Sequence, residues 1–358
     1  MTIARGEIID ESQPGVYHIT ARCVRRAFLC GKDKYSGKNF DYRKVWIGER
    51  IRFLVEHFAI DLLSYALMSN HMHLTPRNRP DVARLWSARE VAERWLRVVS
   101  THAMPDAGDE PLEEARIKAI TRNPKRVEEI RKRLSSISCF MGKLCESISR
   151  RANKEEELTG RFWEGRFKSS RLADKAAILA CMAYVDLNPV RAKMADSVQA
   201  SDYTSGQDRA VAELARRRVR EYRRCRRIGE ALTDRQKALY SAAHKRAKRA
   251  DWLVSLQSPD SPLRGVTESS YLELLDWTGR QVRAGKRGKI PDRILPILQD
   301  LDINTKRWVS TVEQYGSLFH RMVAKAEEMS KAAKAQGRQW FHGVRACREL
   351  YVSDAHST

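Results

Sequence analysis

The stretch of residues 64–76, SYALMSNHMHLTP, decides both the fold class and the first candidate site. Its apolar start predicts a β-strand, the central Ser-Asn pair predicts a tight turn, and the remainder predicts an antiparallel return strand. Residues i and i+2 of a strand point to the same face of the sheet. His71 and His73 are therefore expected to project side by side, while Met72 faces the core.

Hydrophobic patterns around this stretch predict the rest of an α+β domain. Residues 15–24 alternate like a strand, and the apolar residues Ile47, Ile51 and Leu54 recur at helical spacing. The order strand, helix, strand, turn, strand indicates an antiparallel sheet with helices packed on it. Pro76 predicts that the third strand ends early or lies at an edge of the sheet. Further helices are predicted over residues 81–100 and 132–153, and a strand or ribbon over residues 160–172.

The composition predicts a cytoplasmic protein with a polyanionic partner. The 358 residues include 67 Lys and Arg against 45 Asp and Glu, so the formal net charge is +22. Such a surplus favours nucleic acid, which would place the protein with the nucleoid; tuning of solubility and anionic lipid are the alternatives. No apolar run has the length of about 18–20 residues that a membrane span needs, so no membrane partner is expected. The seven cysteines form no C-x-x-C pair, which argues against a zinc ribbon or a disulfide framework.

A change of composition near Ser201 predicts two domains, over residues 1–201 and 202–358. The second is expected to be helix-rich and basic, with eight arginines between Arg216 and Arg227. Because so many like charges repel one another, this segment is predicted to contact a phosphate backbone, and a solvated helix is the alternative. The residues chosen for DNA contact are Arg216, Arg217, Arg223 and Arg224. The basic segment 280–291 is a further candidate.

A second basic segment mixes cations with aromatic residues. The sequence GRFWEGRFKSSRL, residues 160–172, places Arg161, Arg166 and Lys168 among three aromatic side chains. Single-stranded nucleic acid is held by such mixtures, with cations on phosphates and rings under bases. The alternative is that the aromatic residues are core and the cations are solvated. Arg191, beside an Asn-Pro pair, is a similar candidate for DNA contact.

The histidine pair alone does not choose a chemistry. Imidazole suits zinc, manganese and other divalent ions, but two ligands do not complete a site. A zinc hydrolase would also require a nearby acidic base, and Asp186 is a poor candidate for it. Ordinary turn or surface histidines are the simpler interpretation of a bare H-x-H.

The stretch AYVDLNPVRA, residues 183–192, contains a candidate nucleophile and a further candidate metal ligand. It belongs to a predicted helix for which Asp174 is a plausible N-cap. Tyr184 and Asn188 are four residues apart and share one face of a continuous helix. A tyrosine hydroxyl is a weak nucleophile that becomes useful when a metal polarises the electrophile. The amide oxygen of an asparagine can bind a hard metal ion. A packed tyrosine followed by a helix-ending Asn-Pro is the alternative.

Together, SNHMHL, YVDLNPVRA and FWEGRFKSSRLAD resemble the motifs of REP-associated tyrosine transposases, which are single-tyrosine HUH transposases. The resemblance covers about residues 15–201. It implies a ferredoxin-like antiparallel sheet with flanking helices (the HUH domain), followed here by the basic helical domain. It also implies a metal-dependent endonuclease and strand transferase for single-stranded or hairpin DNA, acting in transposition or on repeated palindromic elements.

The resemblance also implies roles for individual residues. Tyr184 would attack the scissile phosphodiester and form a 5′-phosphotyrosine. His71 and His73 would bind Mg²⁺ or Mn²⁺, and Asn188 would occupy the position of the third ligand. The oligomeric state stays open between a monomer and a homodimer. A catalytically inactive or domesticated DNA-binding protein is the alternative to the enzyme.

Overall fold

The computed structural model describes residues 5–24, 29–32, 37–99, 113–227, 233–284 and 291–351. The chain divides into two compact units. The first comprises Met1–Leu62 and Leu67–Ala173, and the second comprises Leu63–Ala66 and Asp174–Thr358. The histidine pair thus belongs to the first unit, and Tyr184 and Asn188 belong to the second. The domain boundary near residue 201 stays a prediction.

In the part that the structure describes, the first unit contains six α-helices, three whole strands and both ends of a fourth strand, whose residues Leu63–Ala66 are counted with the second unit. Their bounds are β1 Gly15–Arg22, α1 Arg43–His57, β2 Ile60–Leu67, β3 His71–Asn78, α2 Pro80–Leu85, α3 Ala88–Val99, α4 Glu114–Thr121, α5 Pro124–Leu134, α6 Ile137–Glu155 and β4 Lys168–Leu172.

The strands of this unit follow the sheet order β2-β3-β1-β4. β1 pairs antiparallel with both β3 and β4. The Met68 N–H donates to the His71 carbonyl across the turn between β2 and β3. The apolar stripe Ile47, Ile51 and Leu54 of α1 is fully buried, as its spacing predicted. The predicted α+β class is confirmed.

Pro76 does not end β3, and β3 is not an edge strand, so both alternatives of that prediction are wrong. The β1–β3 register is the same on either side of the proline, with Ile19 opposite Leu74 and Val16 opposite Arg77. Proline lacks an N–H, so it removes one ladder hydrogen bond and leaves the register intact. The strand end is secured instead by Asn78, whose side chain accepts a hydrogen bond from the Gly15 N–H at 2.8 Å.

Two predicted elements have different bounds in the structure. The helix predicted over 132–153 is two helices, because the Ser136 side chain accepts from the Cys139 N–H and starts α6 there. The ribbon predicted over 160–172 is a strand only from Lys168, although Trp163 makes an isolated bridge with Cys23. The helix predicted over 81–100 is also divided, into α2 and α3.

The second unit is mostly helical. Its elements are α7 Lys175–Asp186, α8 Asn188–Arg191, α9 Ser205–Arg227, α10 Asp234–Ala247, α11 Glu268–Ala284, α12 Leu295–Gln299, α13 Thr305–Leu318, β5 Met322–Val323, α14 Ala326–Ala335 and α15 Val344–Leu350. α13 packs against α7, the helix that carries Tyr184. Among the helices of the described ranges, none combines the length and the apolar character needed to cross a membrane.

Candidate active site

The imidazole rings of His71 and His73 lie side by side on β3, as the alternation predicted. Their centroids are 4.7 Å apart and their planes are nearly perpendicular, at 87°. His73 is buried and His71 is half-buried. The pair therefore lies where a bound ion would be partly shielded from water.

Neighbouring side chains hold the Nδ1 atom of each ring. The Asn70 side-chain oxygen lies 2.6 Å from His71 Nδ1, and since that oxygen can only accept, His71 Nδ1 carries the proton. His73 Nδ1 lies 3.0 Å from His18 Nε2 and 3.1 Å from Thr20 Oγ1. Metal-binding histidines commonly have their second ring nitrogen bound in this way. Nε2 is then the nitrogen that an ion would take in each ring.

Burial keeps the imidazoles of His71 and His18 neutral. It lowers the pKa of His71 to about 4, with a smaller contribution from the positive charge of Arg22. Burial also lowers the pKa of His18 to about 4, helped by His71. A neutral imidazole has a lone pair for a metal, and a protonated one does not.

A row of polar side chains crosses the sheet beside His73. Thr20 is opposite His73 on one side and opposite Lys168 on the other. Cross-strand partners share a face, so the ammonium-bearing side chain of Lys168 is on the same face as the imidazole, two strands away. Lys168 is exposed, and so are Arg161 and Arg166 in the segment before β4. The structure thus brings one predicted DNA-contact residue onto the face of the histidine pair.

Sequence reasoning missed His18, Thr20 and Asn70, which orient the two imidazoles. A signal was present in β1, where His18, Thr20 and Arg22 alternate with apolar residues. Their partner His73 is more than fifty residues away in sequence, so only the strand register reveals the contact.

The donors present fit a divalent ion with an incomplete protein ligand set. Within the described residues, no three His, Cys, Asp or Glu side chains form a metal-binding group. Further ligands would have to be of another kind, such as an amide oxygen or a phosphate oxygen of a substrate. Neutral imidazole nitrogens with oxygen ligands suit Mn²⁺ well and Mg²⁺ less well, since Mg²⁺ prefers oxygen throughout.

The tyrosine helix begins as predicted, and its first segment ends before the Asn-Pro pair, which is one of the two effects expected of Pro189. The Asp174 side chain accepts from the Ala177 N–H at 2.9 Å and caps α7. α7 ends at Asp186, and Asn188 begins α8, because Pro189 has no N–H with which to continue the helix. The spacing of a continuous helix therefore does not fix how Asn188 is placed relative to Tyr184. Both residues are buried, Tyr184 with 8% of its surface exposed and Asn188 with 7%.

The phenol of Tyr184 contacts an aromatic ring and a guanidinium group. Its ring stacks on Tyr315 of α13, and the Arg191 guanidinium lies 4.7 Å from its centroid. Arg191 in turn donates a hydrogen bond to the Glu313 carbonyl. A Cβ atom at Gly316 would stand only 2.8 Å from the Tyr184 hydroxyl oxygen, and Gly316 is itself exposed. Glycine at this position thus leaves space at the hydroxyl.

Asp186 is anchored in the second unit and is not placed to act as a base. It is fully buried and accepts hydrogen bonds from the Ser205 hydroxyl, the Gly206 N–H and the Tyr271 hydroxyl. Burial raises its pKa to about 6, against the lowering effect of these hydrogen bonds. The carboxylate ties the end of α7 to α9 and α11. This location argues against a hydrolase in which Asp186 activates water.

The four arginines of α9 that are predicted to contact DNA have different surroundings. Arg216 pairs with Asp251 at 3.0 Å, and Arg217 pairs with Glu213 at 3.1 Å. Arg223 and Arg224 are exposed. These two are therefore better placed to meet a phosphate backbone than the first two. Of the basic segment 280–291, residues 285–290 lie outside the described residues.

Comparison with known proteins gives one similar structure. No family model and no curated protein matches the sequence. A solved structure of a REP-associated tyrosine transposase bound to a REP hairpin is similar over 57% of this chain and 82% of that one. The sequence identity is 13% and the TM-score is 0.33.

Proposed function

We propose that this chain is a single-tyrosine HUH nuclease of the REP-associated transposase type, which nicks and rejoins single-stranded or hairpin DNA. The observation that carries the proposal is the His71–His73 pair, with both Nδ1 atoms engaged by neighbours and both rings on one face of β3. The tyrosine motif on α7 and the net charge of +22 support the same function.

The sheet of the first unit supports a ferredoxin-like HUH domain. From the β4 side, the order is β4-β1-β3-β2, with β1 antiparallel to both of its neighbours. A helix connects β1 to β2, and a hairpin connects β2 to β3. This is the arrangement of a split β-α-β unit.

The residues that would hold the ion are His71 and His73 through Nε2, with the amide oxygen of Asn188 as a third protein ligand. Mg²⁺ or Mn²⁺ bound there would withdraw charge from the non-bridging oxygens of the scissile phosphate. Asn70, His18 and Thr20 would keep the two imidazoles oriented.

Tyr184 supplies the nucleophile in this proposal. Its hydroxyl oxygen bonds to phosphorus, the bond from phosphorus to the 3′ oxygen breaks, and the departing 3′ oxygen leaves as a hydroxyl with the proton that tyrosine gives up. The product is a 5′-phosphotyrosine. Rejoining reverses the step when a 3′-hydroxyl attacks the phosphotyrosine, so no nucleotide cofactor is needed. Arg191, over the ring and bound to the Glu313 carbonyl, would keep the phenol in place.

A catalytically inactive DNA-binding protein is the second candidate. The buried, stacked ring of Tyr184 favours it, because a packed tyrosine needs no catalytic explanation. The exposed Arg223 and Arg224 would still supply phosphate contacts.

A covalent-capture experiment separates the two candidates. The protein is incubated with Mn²⁺ and a labelled hairpin oligonucleotide with single-stranded flanks, and the mixture is run on a denaturing gel. If the chain is the proposed enzyme, we expect a covalent protein–DNA band that disappears in Tyr184→Phe and His73→Ala. The control is Tyr42→Phe, which alters a half-exposed tyrosine of the first unit and should retain the band. Binding without a covalent band at any divalent ion would select the inactive DNA-binding protein.

Mixing two inactive variants tests the oligomeric state. If the enzyme is a homodimer in which the tyrosine acts on the partner's bound phosphate, Tyr184→Phe and His71→Ala recover cleavage when combined. A monomer, or a dimer acting in cis, recovers none. Association with the nucleoid would follow from DNA binding and is tested by imaging the tagged chain in cells.

A further inference from the structure

An exposed tryptophan marks a second candidate nucleic-acid contact. Trp340, in the connection between α14 and α15, exposes 65% of its surface. Of the tryptophans in the ranges that the structure describes, it alone is exposed. An indole in this position exposes a large flat apolar surface to water and is available to stack on another ring.

The connection that carries Trp340 has a defined conformation. It spans residues 336–343 and contains Gly337 and Gly343, both with positive φ, at 65° and 100°. A Cβ atom at Gly343 would lie 2.7 Å from the Leu318 carbonyl oxygen, so only glycine permits this close approach. The next side chain, Phe341, is buried and anchors the connection. Phe341 is thus buried while Trp340 beside it is exposed.

The charge around Trp340 suits a polyanion. Residues 329–348 contain five cationic side chains and no acidic one. All five are exposed: Lys331, Lys334, Arg338, Arg345 and Arg348. Arg345 pairs with Glu349, just beyond this segment, at 3.4 Å, so the other four carry the argument. Cations around an exposed aromatic ring are the combination that single-stranded nucleic acid requires, since phosphates and bases alternate along the strand.

The Trp340 connection also lies close to the candidate nucleophile within the second unit. Gly343, the last residue of the connection, lies against Leu318, the last residue of α13, and Gly316 of the same last turn adjoins the Tyr184 hydroxyl. Gly316 and Leu318 are two positions apart in the helix, which corresponds to about 3 Å along its axis. A strand whose phosphate reached Tyr184 would therefore lie close to the end of the connection that carries the indole.

We propose that Trp340 is a stacking platform for an unpaired nucleobase of single-stranded DNA, with the surrounding cations on the flanking phosphates. The inference rests on the single-stranded DNA partner of the proposed function and not on its chemistry. It adds a recognition site in a segment beyond the region that carries the HUH motifs.

The test measures binding without cleavage. Fluorescence anisotropy is recorded in the Tyr184→Phe background with a chelator, using a single-stranded oligonucleotide of about 16 nucleotides. Trp340→Ala should weaken binding about tenfold, and Trp340→Phe should restore most of it, because base–aromatic stacking is lost only in the first variant. Leu85→Ala, which alters a side chain 84% exposed in the first unit, is the matched control and should bind normally.

An abasic oligonucleotide of equal length separates stacking from charge. The parent protein should prefer the oligonucleotide with bases, and Trp340→Ala should lose that preference while its salt dependence is unchanged, since no phosphate contact has been removed. Equal affinity of the parent and Trp340→Ala for both oligonucleotides would overturn the inference. So would Trp340-dependent binding to anionic lipid vesicles with unchanged DNA affinity. Absence of nicking with Trp340-dependent binding intact would reject the enzyme and retain the stacking site.

Discussion

The ring of Tyr184 stacks on the ring of Tyr315, with their centroids 4.9 Å apart and their planes 26° apart. Tyr315 belongs to α13, far along the chain from the tyrosine motif. The candidate nucleophile is therefore oriented by a helix outside the segment that contains the recognisable sequence pattern. Offset aromatic pairs of this kind add stability beyond the area that they bury.

Two variants of Tyr315 should show whether its stacked ring orients the Tyr184 side chain. Tyr315→Phe retains the stacked ring, so nicking should stay within about twofold of the parent. Tyr315→Ala leaves a cavity and should cost about 3–5 kcal/mol. Urea denaturation and the covalent-capture gel measure the two effects. Equal nicking by the alanine and phenylalanine variants would show that the stack does not orient Tyr184.

A methyl group at Gly316 should block the Tyr184 hydroxyl. Its Cβ would stand 2.8 Å from that oxygen, so Gly316→Ala should lower the nicking rate at least about tenfold if the phosphate must approach there. Gly142→Ala is the control, because Gly142 lies within α6 and a Cβ there meets nothing within 4 Å. That variant should nick normally and gain up to about 1 kcal/mol from helix propensity. Normal nicking by Gly316→Ala would place the path to the hydroxyl elsewhere.

Removal of the Thr20 hydroxyl should weaken ion binding without changing a ligand. Thr20→Val keeps the shape of the side chain and removes the oxygen 3.1 Å from His73 Nδ1. Loss of such an outer contact typically lowers metal affinity at least about tenfold. Calorimetric titration with Mn²⁺ in the absence of DNA measures the effect, and Thr121→Val on α4 is the control. Unchanged Mn²⁺ affinity in Thr20→Val would argue against His73 as a ligand.

Lys168 is expected to contact a phosphate on the face that carries the histidine pair. Lys168→Ala should weaken single-stranded DNA binding and reduce the slope of log affinity against log salt by about 1. Lys154→Ala, which removes another exposed lysine of the first unit, should leave that slope unchanged. Anisotropy titrations over a range of salt concentrations provide the comparison. Identical slopes for both variants would remove Lys168 from the interface.

The buried Asp186 should make stability fall as pH rises through the mildly acidic range. Its pKa is raised from 3.8 in the unfolded chain to about 6 in the folded protein, so the folded state binds the proton more tightly. Stability from this group is complete below about pH 4 and is lost as the pH rises through about 6, by about 3 kcal/mol in all. Asp186→Asn, which cannot titrate, should lack this change. Urea denaturation at a series of pH values measures the difference, and parallel curves for the two proteins would contradict it.

Local patterns predicted the part of the fold that contains the histidine pair. The order β1-α1-β2-β3 follows from alternation and helical spacing, and the pairing of His71 with His73 follows from strand geometry alone. The contacts of His18 and Thr20 with His73 were missed because they depend on which strands become neighbours. The same reason hid Tyr315 and Gly316, which reach Tyr184 only through the packing of α13 on α7. The prediction for Pro76 was wrong because the loss of one ladder bond does not end the strand or require it to lie at an edge of the sheet.

Asp174 connects the start of α7 with Tyr351, the last residue of the second unit that the structure describes. Its carboxylate caps α7 and also accepts a hydrogen bond from the Tyr351 hydroxyl, a residue 177 positions later. During translation, the helix that carries Tyr184 therefore leaves the ribosome long before Tyr351 has been synthesised. A nascent or prematurely terminated chain would contain the whole HUH motif set and would lack the hydrogen bond from Tyr351 to Asp174.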